Sequence, residues 1–194
     1  MEWNRKAQVD NNISSQDGVV VAAYFLPVIV TKSPEGVWSA KWDTENILSL
    51  RTNLRVTWVG TVRYPGGVPS EDEDAVAAVL AKMNCHPVFI PYNMKVQFYD
   101  IFCKQVLWPV LHQIADVYGE QQQESLHSVE DLWFSYTTVT RLFRDKVVEV
   151  YQNGDLVWIH GFHLMLLPSF LRRLIPLAKI GIFLHTPFPS SEIW

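Results

Sequence analysis

Two histidines near the end of the chain combine a reactive side chain with a position suited to binding. His160 follows the short apolar run 156–159, and His185 follows a second run, 180–184. Short apolar runs are typical of strands buried on both faces of a sheet. The carboxyl ends of parallel strands share one edge, where open α/β folds bind ligands. The sequence therefore predicts that His160 and His185 lie close together at such an edge.

The histidines of this segment, His160 and His163, do not have the pattern of a metal centre. His160 and His163 are spaced i, i+3, but no glutamate forms the His-Glu-x-x-His arrangement of a zinc helix, and further ligands are not evident. We expect neither a metal nor a cofactor. His185 could contact a ligand or fix its own loop, and the residues alone leave both interpretations open.

Two aromatic residues on a predicted helix are further candidates for a binding site. The phenol of Tyr99 can donate a hydrogen bond to a phosphate, and the indole of Trp108 offers an apolar face and an N–H donor. Both also fit the buried side of an amphipathic helix. The residue pattern alone therefore favours a core role over a pocket.

These candidates must be positioned by alternating strands and helices. We predict strands at 19–26, 38–42, 56–62, 86–90, 156–159 and 180–184, and helices at 70–84, 96–118, 131–151 and 164–175. The first helix should begin with a capping box formed by Ser70 and Glu73. A polar loop is expected over 119–130. The alternation predicts a doubly wound α/β sheet.

Composition limits the class of protein. The chain has 194 residues, 48% of them hydrophobic, which suits one α/β domain. Its net charge of −4 gives no basic stripe, so we expect no nucleic-acid partner. No run is long enough to cross a membrane, and the polar residues 1–18, a flexible lead, lack a signal peptide. Cys85 and Cys103 show no metal spacing and suggest a reduced, cytoplasmic protein.

Three segments together resemble the trehalose-6-phosphate synthase family. His-Gly-Phe-His-Leu-Met-Leu-Leu-Pro, beginning at His160, is similar to the family motif His-Asp-Tyr-His-Leu-Met-x-x-Pro. Phe-Leu-His-Thr-Pro-Phe-Pro-Ser-Ser-Glu, beginning at Phe183, is similar to the next motif. The segment from Phe98 to His112 resembles Phe-Tyr-x-x-Phe-x-x-x-x-Leu-Trp-Pro-x-x-His. The resemblance is closest to the divergent synthase-like domain of synthase–phosphatase fusions, in which a trehalose-6-phosphate phosphatase domain follows.

This resemblance implies an architecture and partners. Members of the family (GT20) are GT-B glycosyltransferases with two Rossmann-like lobes. Residues 19–194 would form the N-terminal, acceptor-side lobe, a mainly parallel sheet with helices on both faces that stops before the donor lobe. The acceptor lobe binds glucose 6-phosphate, and the donor lobe binds UDP-glucose. The expected partners are thus glucose 6-phosphate, weakly, UDP-glucose in a full-length parent, and other trehalose-pathway subunits.

The resemblance also assigns site residues. Tyr99 and Trp108 match the aromatic pair of the acceptor pocket, His160 matches the first histidine of its motif, and His185 matches the histidine that contacts donor glucose. Three positions depart from the family, namely Phe25 in place of a phosphate-gripping arginine, Gly161 in place of a sugar-binding aspartate, and Thr61 in place of a tryptophan common in active enzymes.

Three functional hypotheses follow from these matches and departures. In the first, the chain is a catalytically degenerate domain with a regulatory or structural role in a trehalose-pathway protein. In the second, it is the acceptor lobe of an active α,α-trehalose-phosphate synthase (UDP-forming). In the third, it is a sugar-phosphate sensor without turnover. We expect the isolated chain to be inactive, and restoring Arg and Asp at positions 25 and 161 to strengthen binding of glucose 6-phosphate.

Overall fold

A five-stranded, fully parallel sheet organises the chain. The computed structural model describes residues 18–46, 48, 54–112 and 128–188. The strand order is β5-β4-β1-β6-β7, with β1 at Val19–Phe25, β4 at Val56–Thr61, β5 at Cys85–Pro87, β6 at Leu156–His160 and β7 at Lys179–Phe183. An antiparallel hairpin of β2 (Val28–Lys32) and β3 (Trp38–Trp42) stands apart from this sheet. The predicted α/β class with a mainly parallel sheet is confirmed.

Elements pack on both faces of the sheet because the central strand is apolar on both sides. The odd and even residues of β1 divide between two hydrophobic clusters, with Val20 and Ala22 in one and Val21 in the other. The first cluster includes α4 (Val129–Val150) and α5 (Leu167–Leu174), and the second includes α1 (Glu73–Ala81) and the hairpin. This alternation is why 19–25 reads as a continuous apolar run.

The predicted helix that carries Tyr99 and Trp108 is assembled from three consecutive pieces. The short α2 (Tyr92–Lys95) continues into a π-helix at Val96–Leu107, which continues into α3 (Trp108–Leu111). Pro109 lies in the first turn of α3, where the missing N–H is tolerated. The remainder of the predicted helix, from residue 113, lies outside the described residues. The predicted loop over 119–130 is also outside them as far as residue 127, and α4 begins within its last residues.

The long helix α4 follows the predicted amphipathic pattern. Its buried stripe runs through Leu132, Tyr136, Val139, Phe143 and Val147, which face the sheet. Ser128 caps its first turn by accepting a hydrogen bond from the backbone N–H of Asp131 at 3.1 Å. The cap places the start of the helix two residues before the predicted one.

Four local predictions were wrong. Residues 70–72 form a 3₁₀ turn before α1, and no side chain caps either element, so the predicted capping box at Ser70 and Glu73 does not form. The strand β5 is shorter than predicted and ends at Pro87, after which the N–H of Val88 donates a last hydrogen bond to the carbonyl of Gly60 in β4 at 2.8 Å. The strand β7 is partly exposed rather than buried on both faces, since β6 is its one pairing partner in the described sheet. The strand β2 was not predicted at all.

Asp155 fastens the amino edge of the sheet just before β6. One carboxylate oxygen accepts hydrogen bonds from the backbone N–H of Gly18 at 2.9 Å and from the Arg55 guanidinium at 2.6 Å. The other accepts the N–H of Gln152 at 3.2 Å. Asp155 thus joins the approaches to β1, β4 and β6, and it is 2% exposed.

The two cysteines belong to different hydrophobic clusters. Cys103 packs in the cluster that contains α4, and Cys85 in the cluster that contains α1, so the sheet separates them. Both are free and buried. Burial raises the pKa of the Cys85 thiol to about 12 and also raises that of Cys103. Within the described residues, no helix has the length and apolar character required to cross a membrane.

Candidate functional site

A cleft opens where β1, β6 and β7 end, at the carboxyl edge of the sheet. Its volume is about 210 Å³. Five of the seven residues singled out from the sequence line it: Phe25, Trp108, His160, Gly161 and His185. The sheet therefore brings together side chains that are up to 160 positions apart in the chain, from 25 to 185. This edge is the place where open parallel sheets bind ligands.

The two predicted histidines are in direct contact. His160, the last residue of β6, is 6% exposed, and its Nδ1 lies 2.9 Å from Nε2 of His185. The register of the sheet explains the contact, since His160 pairs with Phe183 at the end of β7, two residues before His185. The predicted placement of both histidines at the carboxyl edge of neighbouring strands is confirmed.

The backbone beside this pair takes conformations that favour particular residue types. Gly161 has φ 84 and ψ 157, a combination available to glycine and costly for other residues. A Cβ added to it would meet Nδ1 of His163 at 3.3 Å. Its N–H donates to the carbonyl of Phe183 at 2.8 Å, which joins the ends of β6 and β7. The backbone turn after β6 therefore favours glycine at position 161.

An aromatic stack fills the side of the cleft next to β1. The ring of Tyr24 lies 4.6 Å from that of Tyr99 and 5.2 Å from that of His163, in both cases nearly parallel. The ring of Phe25 meets Tyr99 edge to face at 5.4 Å. Tyr99 is absent from the lining of the cleft and lies behind Tyr24 instead. Phe25, at the position where the resemblance expects an arginine, is thus a member of an aromatic cluster.

Two cations flank the aromatic cluster. The guanidinium carbon of Arg63 lies 4.6 Å from the centre of the Phe25 ring, and Nζ of Lys104 lies 4.3 Å from that of Tyr99. Lys104 and Tyr99 are five residues apart, a spacing that the i→i+5 turns of the π-helix bring onto one face. Lys104 also pairs with Asp100 at 3.0 Å. Positive charge is therefore present near the cleft, although it comes from positions other than 25.

Trp108 also lines the cleft. Its indole is stacked on the imidazole of His112 at 3.6 Å and lies 5.8 Å from the ring of Phe162. It is 45% exposed, unlike a core aromatic. Nδ1 of His112 contacts the Trp108 carbonyl at 2.9 Å and thereby holds the stack in place. Trp108 consequently offers an open ring face to whatever enters the cleft.

Thr61 does not line the cleft and instead makes a structural contact behind it. Its hydroxyl donates to the Tyr24 carbonyl at 2.6 Å, which fixes the end of β1 against β4. A larger groove of about 660 Å³ runs between α1, β5 and α4, far from the carboxyl edge of β6 and β7. The described residues contain no group of three or more histidine, cysteine or acidic side chains that could hold a metal ion.

The electrostatics of the cleft favour neutral histidines. Burial lowers the pKa of His160 to about 4, with a further contribution from the neighbouring His185. Burial likewise lowers the pKa of His163 to about 4, helped by the positive charge of Lys104. Both imidazoles are therefore uncharged at neutral pH. They can donate or accept a hydrogen bond there, but they add no positive charge to attract a phosphate.

Sequence reasoning missed Tyr24 and Phe162, and considered His163 mainly as a metal ligand. Tyr24 is 3% exposed and its hydroxyl has no hydrogen-bond partner within the described part of the chain. The available clue was its position, since Tyr24 is the first polar residue at the end of the apolar run of β1. Phe162 gave no such clue, because it lies in the turn after β6 and not on a periodic element.

Comparison with known proteins places this chain in a family. The sequence model described as Glycosyltransferase family 20 matches residues 18–194. A curated Arabidopsis thaliana protein, named probable alpha,alpha-trehalose-phosphate synthase [UDP-forming] 7, is 37% identical over an alignment of 187 residues that covers 93% of this chain and 21% of that protein. The chain spans about a fifth of the length of the first curated relatives that it matches.

Solved structures agree with the sequence match. The N-terminal domain of Candida albicans trehalose-6-phosphate phosphatase superposes with a TM-score of 0.63 at 26% identity, covering 92% of this chain and 36% of that one. An alpha,alpha-trehalose 6-phosphate synthase from Burkholderia multivorans shares the fold, with a TM-score of 0.64, 22% identity, and 92% and 35% coverage. From the family match and its fold, this chain belongs to glycosyltransferase family 20 and is a trehalose-phosphate-synthase-like domain.

Proposed function

We propose that this chain acts in trehalose biosynthesis as a synthase-like domain that has lost catalysis and serves a regulatory or structural role. In this proposal the cleft binds the sugar ring of glucose 6-phosphate weakly, and the parent protein also contains the site for UDP-glucose. The observation that carries the proposal is the aromatic cluster of Tyr24, Phe25, Tyr99 and His163, because the resemblance puts the phosphate of the acceptor beside position 25, a place that we call the phosphate corner. There Phe25 packs on Tyr99, where the resemblance expects an arginine.

The residue at position 25 determines which charged contacts a phosphate can make in the cleft. An arginine at position 25 would give bidentate, charge-assisted hydrogen bonds, and a phenyl ring gives none. Each such charged contact contributes about 1.5–3 kcal/mol. Gly161 likewise lacks the carboxylate that the resemblance expects next to the sugar, and its backbone conformation suits glycine. Both positions therefore lack a polar contact to the ligand. Phe25 packs in the aromatic cluster instead, and Gly161 forms the backbone turn after β6.

A second candidate function is an acceptor site that still holds the phosphate, either in an active synthase or in a sensor without turnover. The positions of two cations favour it. Arg63 and Lys104 lie within 4.6 Å and 4.3 Å of the ring centres of the aromatic cluster, so a cation from a new position could contact phosphate. The curated relatives are also named as UDP-forming synthases. Under this candidate, the phosphate contact has moved to Arg63 or Lys104 and has not been lost.

Titration of glucose 6-phosphate into the chain separates these candidates. We expect a dissociation constant in the millimolar range or weaker, since two lost contacts weaken a micromolar site by about that much. Arg63→Gln and Lys104→Gln should change it less than threefold. Lys146→Gln is a matched control, because that lysine pairs with Glu149 on α4, on the distant groove. Micromolar binding that Arg63→Gln or Lys104→Gln abolishes would instead establish a relocated phosphate site.

Product formation is the second test. The chain mixed with UDP-glucose and glucose 6-phosphate should release no UDP above a blank without protein. The same assay with the parent protein tests whether catalysis is absent from the whole molecule. Trehalose 6-phosphate formation by the parent, abolished by Trp108→Ala, would contradict the proposed loss of catalysis.

A further inference from the structure

The contact between His160 and His185 limits where the protons of both imidazoles can be. Nδ1 of His160 and Nε2 of His185 are 2.9 Å apart, with ring centres at 5.2 Å. A hydrogen bond between two neutral imidazoles needs an N–H on one ring and a lone pair on the other. A metal ion shared by the two nitrogens, at about 2.0–2.1 Å from each with tetrahedral angles, would hold them roughly 3.3 Å apart. The observed separation thus fits a shared proton.

The surroundings hold both rings in this arrangement. Trp158 lies 4.5 Å from His160, and Phe183 meets His185 edge to face at 4.5 Å. The bond from the Gly161 N–H to the Phe183 carbonyl fixes the two strand ends. His185 itself has φ 61, a left-handed conformation that few residues other than glycine adopt. The ring of His185 is therefore set against His160 by the fold and does not depend on a ligand.

The unshared nitrogen of His160 decides which ring carries the proton. Nε2 of His160 is buried and has no hydrogen-bond partner within the residues that the structure describes. If it carried the proton, a buried N–H would be left without an acceptor, which is rarer in proteins than an unsatisfied acceptor. If Nδ1 carries the proton, Nε2 is left with a lone pair only. His160 then donates from Nδ1 to Nε2 of His185.

The proton of His185 must then be on its other nitrogen. Nε2 of His185 accepts the bond from His160, so the neutral ring carries its hydrogen on Nδ1. His185 is exposed and lines the cleft, and no salt bridge within the described residues involves either histidine. The exposed ring therefore offers an N–H donor and no acceptor. This is the opposite of the Nε2–H form that a solvent-exposed histidine normally prefers.

We propose that His160 is a positioning residue that holds His185 in its Nδ1–H form, so that His185 donates a hydrogen bond to a hydroxyl oxygen of the sugar ring bound in the cleft. The ligand part of this inference rests on the proposed function, whereas the tautomer part concerns the free protein. His160 acts through His185 and makes no ligand contact in this scheme. Functional histidines are commonly controlled in this way, because the hydrogen bond made by one ring nitrogen determines whether the other ring nitrogen carries the proton.

Nitrogen NMR of the free protein tests the tautomers directly. In the chain labelled with ¹⁵N-histidine at pH 7.5, we expect His160 and His185 each to show a protonated Nδ1 and an unprotonated Nε2. His160→Leu should return His185 to the Nε2–H form. His160→Asn, whose amide N–H stands near the position of Nδ1, should keep His185 in the Nδ1–H form. An Nε2–H form of His185 in the unaltered chain, or no change in His160→Leu, would overturn the inference.

The ligand part has its own measurement. In an NMR titration with glucose 6-phosphate, His160→Leu should weaken binding about fivefold or more, which corresponds to one neutral hydrogen bond. His160→Asn should stay within about twofold of the unaltered chain. Equal weakening by both variants would assign His160 a merely structural role and refute the positioning scheme. Absence of binding in the unaltered chain would count against the proposed function, while the tautomers would still be decided. If His160→Leu fails to fold, the unaltered chain and His160→Asn still decide the tautomers. His160→Gln, whose amide reaches the position of Nε2 and not that of Nδ1, then replaces His160→Leu in the titration.

Discussion

The turn at Gly161 gives the sharpest prediction about stability. Its φ of 84 and ψ of 157 lie in a region that is essentially restricted to glycine. Any side chain there costs about 1–3 kcal/mol of backbone strain. The added Cβ would also sit 3.3 Å from Nδ1 of His163, so that ring would have to shift by a few tenths of an ångström. We therefore expect Gly161→Ala to lower the free energy of unfolding by about 2 kcal/mol.

Gly181 provides the matched control for this substitution. It lies in β7, its φ is not positive, and an added Cβ would meet nothing within 4 Å. Replacing a glycine by alanine at a compatible position stabilises by about 0.4–1 kcal/mol through the unfolded chain. Gly181→Ala should therefore leave stability unchanged or slightly raise it. The two variants make the same chemical change, one in the turn directly after β6 and the other within the neighbouring strand β7.

Urea denaturation followed by tryptophan fluorescence measures the free energy of unfolding of both variants, and thermal denaturation measures their Tm. For a domain of this size, 1 kcal/mol shifts Tm by about 2–4 °C, so Gly161→Ala should lower Tm by roughly 4–8 °C. Equal stability of Gly161→Ala and Gly181→Ala would refute the argument from backbone strain. It would mean that the turn after β6 can relax into a conformation open to all residues.

This prediction alters the expectation about restoring the family residues. Gly161→Asp should carry the same backbone cost as Gly161→Ala, which offsets much of the gain from a new sugar contact. An arginine at position 25 would also meet Arg63, whose guanidinium carbon lies 4.6 Å from the Phe25 ring centre. Like charges at such distances oppose each other. We therefore expect the double change to strengthen binding of glucose 6-phosphate only slightly and to destabilise the fold.

Three further predictions concern stability and reactivity. Because burial lowers the pKa values of His160 and His163 to about 4, the unfolded chain takes up protons below about pH 6.5 that the folded chain excludes. Urea denaturation should therefore show stability falling from pH 6.5 towards pH 4, with a shallower fall in His163→Phe. Asp155→Ala should cost about 2–3 kcal/mol in the same assay because it removes buried charged hydrogen bonds, whereas Asp145→Ala, at a carboxylate whose side chain is 60% exposed, should stay within about 0.5 kcal/mol. Neither cysteine should react with a disulfide reagent before global unfolding, since both thiols are buried with raised pKa values; fast labelling of the native chain would disprove their burial.

Much of the fold followed from the sequence because its periodic elements are long or strongly apolar. The buried stripe of α4 and the apolar run of β1 are evident from the spacing of their apolar residues. The predicted ends of β6 and β7 placed His160 and His185 at the same edge of the sheet. The strand β7 was misjudged because its apolar residues face partly outward at the edge of the described sheet. Apolar composition alone cannot distinguish an edge strand from a central one.

The site was less predictable because its details depend on geometry that no local pattern encodes. The His160–His185 hydrogen bond needs the register of two strands, and the stacking of Tyr24 on Tyr99 and His163 needs three separate elements to meet. The positive φ at Gly161 explains why glycine suits a position where the resemblance led us to expect aspartate. Only the tertiary structure shows that this departure fits the local backbone.

The most direct test of a lost phosphate contact compares glucose 6-phosphate with glucose as ligands of the same chain. A working acceptor site would prefer the phosphorylated sugar by at least tenfold, because one charged contact contributes about 1.5–3 kcal/mol. With Phe25 and its aromatic neighbours at the phosphate corner, the two dissociation constants should agree within about threefold. A preference for glucose 6-phosphate of tenfold or more, measured by NMR titration at constant ionic strength, would contradict the account.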